Sequence, residues 1–310
     1  MKKNSITITF LSKVSFASLN GADKEIDNIN PIKKITMANG EELPYVSSQA
    51  IRRALRDKLM EMDWPLSPLS GSSTDKGAPK TEGKPAEFID DDLFGYMDAQ
   101  KGKDGELGTS NTRTAPLRVE SLLALSSYKG DLDFGTNYMG KGLKDAKGKD
   151  IQPNIFETEV HSGLYRGTIL IELDRVGTEK MYDKNTNKLE IIKFVEDDER
   201  CKRVLGFIDA FRNLWSSGRQ SRFLADISPK FIAAAYMKTK NPVFLEAVNV
   251  DANNVVEIEK LNTVVNDYDK YIESYVFAGQ EAIVGKMGDV QNLKDGFEMI
   301  ESWIKDYYGQ

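Results

Sequence analysis

The chain has 310 residues, with 42 Lys and Arg against 48 Asp and Glu, a net charge of −6. A hydrophobic share of 40% and a charged share of 29% suit a soluble globular protein with a real core; one cysteine, Cys201, and one histidine, His161, exclude an internal disulfide, a multi-cysteine zinc or iron–sulfur site and any two-histidine metal site. No apolar stretch approaches the roughly 18–20 residues of a membrane span, and the N-terminus MKKNSITITF has no long apolar run or small-residue cleavage site, so a cytoplasmic protein is expected.

The first segment, Ile6-Thr7-Ile8-Thr9-Phe10, alternates apolar and polar side chains as a half-buried strand does. A loop over residues 20–42 carries turn signals at Asn20-Gly21 and Asn39-Gly40. In PYVSSQAIRRALRDKLMEM, Ser47 or Ser48 can cap a helix whose apolar stripe is Ile51, Leu55, Leu59 and Met62. Residues 64–87 are a Pro, Gly, Ser and Lys mixture that reads as a flexible insertion. IDDDLFGYM and APLRVESLLALSSY, within residues 88–130, contain enough apolar residues to pack as a small subdomain. Residues 131–166 are again rich in glycine and lysine. Strand signals return at 167–173 and 188–194, a helix is expected over 198–215, and PKFIAAAYMK reads as strand or helix. An amphipathic helix with Leu293, Phe297, Ile300 and Ile304 closes the chain. The order strand–helix–strand–strand–helix–strand predicts an α+β fold with a ferredoxin-like or RRM-like split βαβ core, without the usual RRM aromatic signature.

Charge is unevenly spread. Residues 243–310 hold 5 Lys and Arg against 13 Asp and Glu, a balance of −8, leaving +2 on the rest; a solvated helical face accounts for the tail. Phosphates answer to local clusters, so the negative average does not exclude nucleic acid. The informative cluster is Ser48, Gln49, Arg52, Arg53 and Arg56. Spacings of three and four residues bring the three arginines to one side of the helix, beside the free amides of its first turn. Guanidinium forks and backbone N–H groups suit phosphate oxygens; an amphipathic helix with a charged outer face uses the same residues.

PYVSSQAIRRALRDKL resembles the SSQ-x-x-[KR]-R-x-x-R helix of the backbone subunit of type I CRISPR Cascade complexes. IDDDLFGYM is similar to the D-x-D-x-F-G-x-M element of that family's DevR branch, typical of type I-B systems. EVHSGLYRGTILIEL resembles its S-G-x-[FY]-Y-R strand entry, and SPKFIAAAYMKTKNPVF its later core strand. The matches run in family order from residue 12 to about residue 244. The resemblance implies a hand-like subunit: a palm from residues 1–60 and 167–245, an inserted fingers subdomain at 61–130, a protruding thumb hairpin at 131–166 and a C-terminal helical segment at 246–310. It implies a non-catalytic protein that needs no cofactor and holds crRNA, oligomerising with further copies of itself beside other Cascade subunits while the target DNA strand pairs to the guide. By the same carry-over Ser48, Gln49, Arg52, Arg53 and Arg56 approach the guide backbone. Lys141 and Lys144 sit in the thumb, or in a solvated loop. Arg219 and Arg222 flank a loop near the palm, or cap a helix end. Arg166 lies at the strand entry.

The enzymatic alternative is a metal-dependent ribonuclease of the type III backbone kind. Residues 25–46 resemble the loop bearing that kind's metal-binding aspartate, here Asp27. Close to Asp27 the chain offers Asp23 and Glu25 but no histidine, and Lys24, Lys33 and Lys34 suit phosphate better than metal. His161 reads as a turn residue bonded to its own backbone, Asp90-Asp91-Asp92 as a solvated or capping cluster, and Cys201 as a small buried hydrophobe.

Overall fold

The computed structural model describes residues 2–23, 28–70, 80–100, 109–137, 142–151, 154–183, 187–216, 222–285 and 290–310. In chain order the elements are β1 (Ser5–Ala17), β2 (Ile29–Asn30), β3 (Lys34–Thr36), β4 (Glu42–Val46), α1 (Ser48–Glu61), α2 (Ile89–Phe94), β5 (Tyr96–Gln100), β6 (Thr109–Arg113), β7 (Leu117–Val119) and β8 (Leu122–Ala124). There follow β9 (Leu132–Asn137), β10 (Asn154–Glu159), β11 (His161–Glu172), β12 (Thr178–Asp183), β13 (Lys188–Lys193), α3 (Asp197–Arg212), β14 (Phe231–Met237), α4 (Ile258–Asp267), β15 (Ile272–Gly279), α5 (Glu281–Val284) and α6 (Leu293–Tyr308).

The main sheet runs β15-β14-β1-β11-β8-β4-β3, with β7 also on β11, and its pairings are antiparallel. Its long axis is β1 against β11, registered from Ser5↔Glu172 to Val14↔Gly163. One face packs Ile6, Ile8, Phe10 and Ile169 against Leu55 and Leu59 of α1, Phe207 and Phe211 of α3, and Phe297 and Ile300 of α6. The other packs Leu11, Phe231, Ala233 and Met237 against Phe244, Val248, Leu261 and Phe277. β1 is therefore buried on both faces, not one. Thr7 and Thr9 lie fully inside, and Thr9 Oγ1 is 3.0 Å from Thr168 Oγ1.

The chain order β1, α1, β7–β8, β11, α3, β14 is the expected strand–helix–strand–strand–helix–strand, but with a different middle strand. Residues 188–193 form β13, exposed throughout and paired only with β12 in a separate ribbon. Their place is taken by β7 and β8, which lie inside the stretch read as a subdomain. β14 is a strand; all seven of its residues are buried, so FIAAAYM shows no period in sequence. The tail expected to be helical also contributes β15, an outer strand of the sheet.

β9 and β10 pair as an antiparallel hairpin that ends at Glu159, so residues 161–166 already belong to β11. Within 64–87, residues 71–79 lie outside the described residues, and the flanks are pinned rather than loose. The Trp64 ring lies so close on α3 that a Cβ at Gly206 would fall 2.4 Å from it. Ser70 and Lys80 exchange two backbone hydrogen bonds of 2.9 Å, and Arg203 donates to Pro85 O at 2.7 Å and Ala86 O at 2.8 Å.

Candidate nucleic-acid interface

The start of α1 is fixed to the sheet. Ser47 caps the helix by accepting from Ala50 N, and its own N–H donates to Asn20 Oδ1 at 2.9 Å. Ser48 Oγ donates to Val119 O at 2.6 Å, and Ser48 N donates to Ser121 Oγ at 3.0 Å. The Ser48 proton expected to face a phosphate is thus committed to β7. Gln49, next in line, is exposed.

The three arginines do not share one surface. α2 packs along one flank of α1 and draws in two of them. Arg52 donates through Nη2 to Phe94 O and lies over the Phe94 ring at 5.6 Å. Arg56 Nε pairs with Asp90 Oδ2 at 3.2 Å, its guanidinium 4.7 Å from the same ring. Arg53 stands apart at 61% side-chain exposure, tied only to Asp57 at 2.8 Å on its own helix. Arg52 pairs with no carboxylate among the described residues, and its buried Nε–H has no acceptor. Burial, and then the like charge of Arg56, push its pKa down. Among the described residues the charge of Arg52 is therefore matched by no carboxylate.

What sets α2 in place corrects the reading of Asp90, Asp91 and Asp92 as solvated. All three are buried, and each is committed to a different part of the chain. Asp90 accepts from Ser67 N at 2.9 Å as well as from Arg56. Asp91 accepts from Lys84 N at 2.8 Å. Asp92 receives Arg113 Nη2, Arg203 Nη1 at 2.9 Å and Gly177 N at 3.0 Å. Two guanidinium groups around one carboxylate offset its desolvation, which a lone buried charge cannot do. Among the described residues no three of His, Cys, Asp and Glu gather to hold a metal ion.

The remaining candidates scatter. Lys144 is exposed on a turn beyond β9, folded by Asp145 Oδ1, which accepts from Lys147 N at 2.8 Å and Lys149 N at 2.9 Å. Exposed Lys147 and Lys149 share that turn; the sequence reading passed over them, although the run LKDAKGKD repeats lysine every two or three residues. Arg166 is turned inward, donating to Val248 O at 3.1 Å and pairing with Glu246 at 3.1 Å. Arg222 is held against the hairpin by Asp133 and Thr158. Asp27, Lys141 and Arg219 lie outside the described residues. Arg118, 57% exposed and paired with buried Glu172, was also missed; only its β7 neighbours place it in the sheet.

His161 is not a turn residue. It opens β11, buried, with Nδ1 2.8 Å from Tyr165 Oη and Nε2 3.4 Å from Ser126 Oγ, and burial lowers its pKa. Cys201 packs in the core as expected, its thiol pKa raised by burial.

A protein of Myxococcus xanthus (strain DK1622) described as "CRISPR-associated protein Cas7/Cst2/DevR" is 26% identical over 281 residues, covering 88% of this chain and 85% of that protein. Among solved structures, a chain of a "CRISPR RNA-guided surveillance complex" superposes with a TM-score of 0.55 at 15% identity, covering 96% of this chain and 98% of the other. A second, from a "CRISPR RNA-guided surveillance complex, pre-nicking", gives 0.54 at 15% identity, with 96% and 99% covered. At that identity the likeness is one of fold. The family model "CRISPR-associated negative auto-regulator DevR/Csa2" matches residues 6–260, most of the chain, and the chain belongs to the DevR/Csa2 family of CRISPR-associated proteins.

Proposed function

We propose that the chain is a non-catalytic backbone subunit of a type I-B-like Cascade complex, binding crRNA and oligomerising along it beside other Cascade subunits while the target DNA strand pairs to the guide. In this reading the main sheet with α1 and α3 is the palm, the segment from α2 to β6 belongs to the fingers, and the β9–β10 hairpin is the thumb. The observation that carries it is the unbalanced charge of α1: among the described residues Arg52 has no carboxylate partner, it is repelled by Arg56, and Arg53 stands exposed on another side of the same helix. A phosphodiester beside Arg52 supplies the missing negative charge, and guanidinium forks bind phosphate oxygens well. Gln49 offers a neutral amide on the same approach, and the lysines at 144, 147 and 149 a second cationic surface. The relative's name and the surveillance-complex folds support the assignment.

The test is the nucleic acid the protein carries out of its host. Wild type should purify with RNA. Arg52→Gln with Arg53→Glu should lose it and lower the salt slope of log K by about 0.7 for each phosphate contact removed, with little change in thermal midpoint. Arg56 is spared because its loss would leave Asp90 buried without its cation. RNA retained by the double variant would overturn the assignment of α1. Guide-paired RNA cut with magnesium by wild type but not by Asp27→Ala would overturn the non-catalytic reading.

A further inference from the structure

Arg222 was a candidate phosphate contact, and its surroundings give it a different duty. Its Nη2 pairs with Asp133 on β9, and its Nη1 donates to Thr158 Oγ1 on β10 at 3.1 Å. The guanidinium lies over Phe156 of β10 at 5.1 Å and over Phe223 at 5.4 Å. Phe223 is buried in the main core, where the Phe16 ring meets it edge-on at 5.3 Å. One side chain thus touches both strands of the hairpin and an aromatic ring anchored in the body. Gly135 makes room for it: a Cβ there would stand 2.6 Å from the Phe156 ring and 3.2 Å from Arg222 Nη2.

A second fastening sits elsewhere on the hairpin. Register places Asp133, Gly135, Phe156 and Thr158 on the face toward Arg222, and Leu132, Phe134, Ile155, Glu157 and Glu159 on the reverse. Glu159 accepts from Ile32 N at 2.9 Å and from Lys34 Nζ at 2.8 Å, and β2 pairs with the β10 edge. Among the described residues the side-chain bonds of the first face run to Arg222, whose charge is matched by Asp133.

We propose that Arg222 is a positioning residue that fixes the angle of the β9–β10 hairpin to the sheet, and does not itself bind the guide. The inference rests on the guide-holding reading above and adds what sets the spacing between copies: the direction in which each hairpin projects. Two of its five N–H donors go to Asp133 and Thr158, its charge is matched by Asp133, and its planar face lies against two rings, so its bonds serve the hairpin. Its removal frees the hairpin without removing a contact to RNA.

The experiment compares wild type, Arg222→Ala and Asp133→Asn with three readouts: affinity and salt slope on an RNA short enough for one subunit, the nuclease footprint on a long RNA, and amide exchange of residues 132–137 and 154–159. Both variants should keep short-RNA affinity within about twofold and leave the salt slope unchanged. Both should blur the regular footprint and raise hairpin exchange about tenfold or more. Asp133→Asn is decisive because it adds net positive charge. If Arg222 served a phosphate, freeing it from Asp133 would tighten short-RNA binding and keep the footprint, while Arg222→Ala would weaken binding and lower the slope by about 0.7; that pattern overturns the proposal. Unchanged footprint and exchange in both variants would also overturn it. Wild type that binds no RNA would refute the guide-holding reading, while hairpin exchange in the two variants would still report on the fastening.

Discussion

At the scale of single residues, the chain puts charge inside the protein and balances it there. Asp92 is the clearest case, with Arg113, Arg203 and the Gly177 amide converging on one buried carboxylate. Asp92→Ala leaves buried Arg113 without an anion and Arg203 with Glu199 alone, and should cost about 3–5 kcal/mol, read as a drop in the urea midpoint. His161 gives a pH dependence. Its buried ring has a pKa below the usual 6.5, so below pH 6.5 the unfolded chain takes up a proton that the folded chain refuses. Stability from this group is present above pH 6.5 and is lost as pH falls from there toward the depressed folded value. Thermal midpoints between pH 7.5 and 5 should fall less steeply in His161→Gln than in wild type; parallel slopes would refute this. The arginines of α1 were legible because they are neighbours in sequence. The aspartates were not, because the partners of Asp92 lie 21, 85 and 111 residues away and a run of three carboxylates reads locally as solvated.

Elements with a strong period were legible, and those without one were not. α1 and α6 each bury one stripe, and both stripes were read from the sequence. β14 was ambiguous because burial on both faces erases alternation. β7 and β8, three residues each, are too short to show a pattern, and their partner β11 is far along the chain. The same scale yields a prediction for the low-complexity segment. Ser70 and Lys80 already face each other as an antiparallel bridge, so residues 71–79 join two ends that lie side by side. Replacing 71–79 with Asn-Gly, which favours a tight hairpin turn, should leave the thermal midpoint within a few degrees and RNA retention unchanged. A large loss of either would assign 71–79 a packed or binding role. Buried Ser67 and half-buried Trp64 should not tolerate the same treatment, since Trp64 packs on α3 and Ser67 Oγ accepts from Glu82 N.

For the whole molecule, composition indicated a globular protein and the order of elements an α+β fold, and the structure has that mixed class with an antiparallel main sheet, though the middle strand was misread. Sequence could not show how the acidic tail joins the body. α6 packs on α3, β14 and β15, with Trp303 stacked on Tyr236 and Tyr308 Oη donating to Leu173 O at 2.7 Å. The tail continues past residue 260, where the family match ends, and completes the core. The pairing of β1 with β11, Ser5 opposite Glu172, has a consequence for how the protein is made. Ribosomes add roughly 5–20 residues each second, so β1 waits about 8–30 s after its synthesis before its first sheet partner emerges. Throughout that interval a thirteen-residue strand, destined to be buried on both faces, lacks its sheet partners. Its other neighbour, β14, and the helix α6 that seals the layer appear later still. The nascent chain therefore passes most of its elongation in a form open to chaperones and to aggregation. The layer over β1 closes only once α6, residues 293–308, has been made.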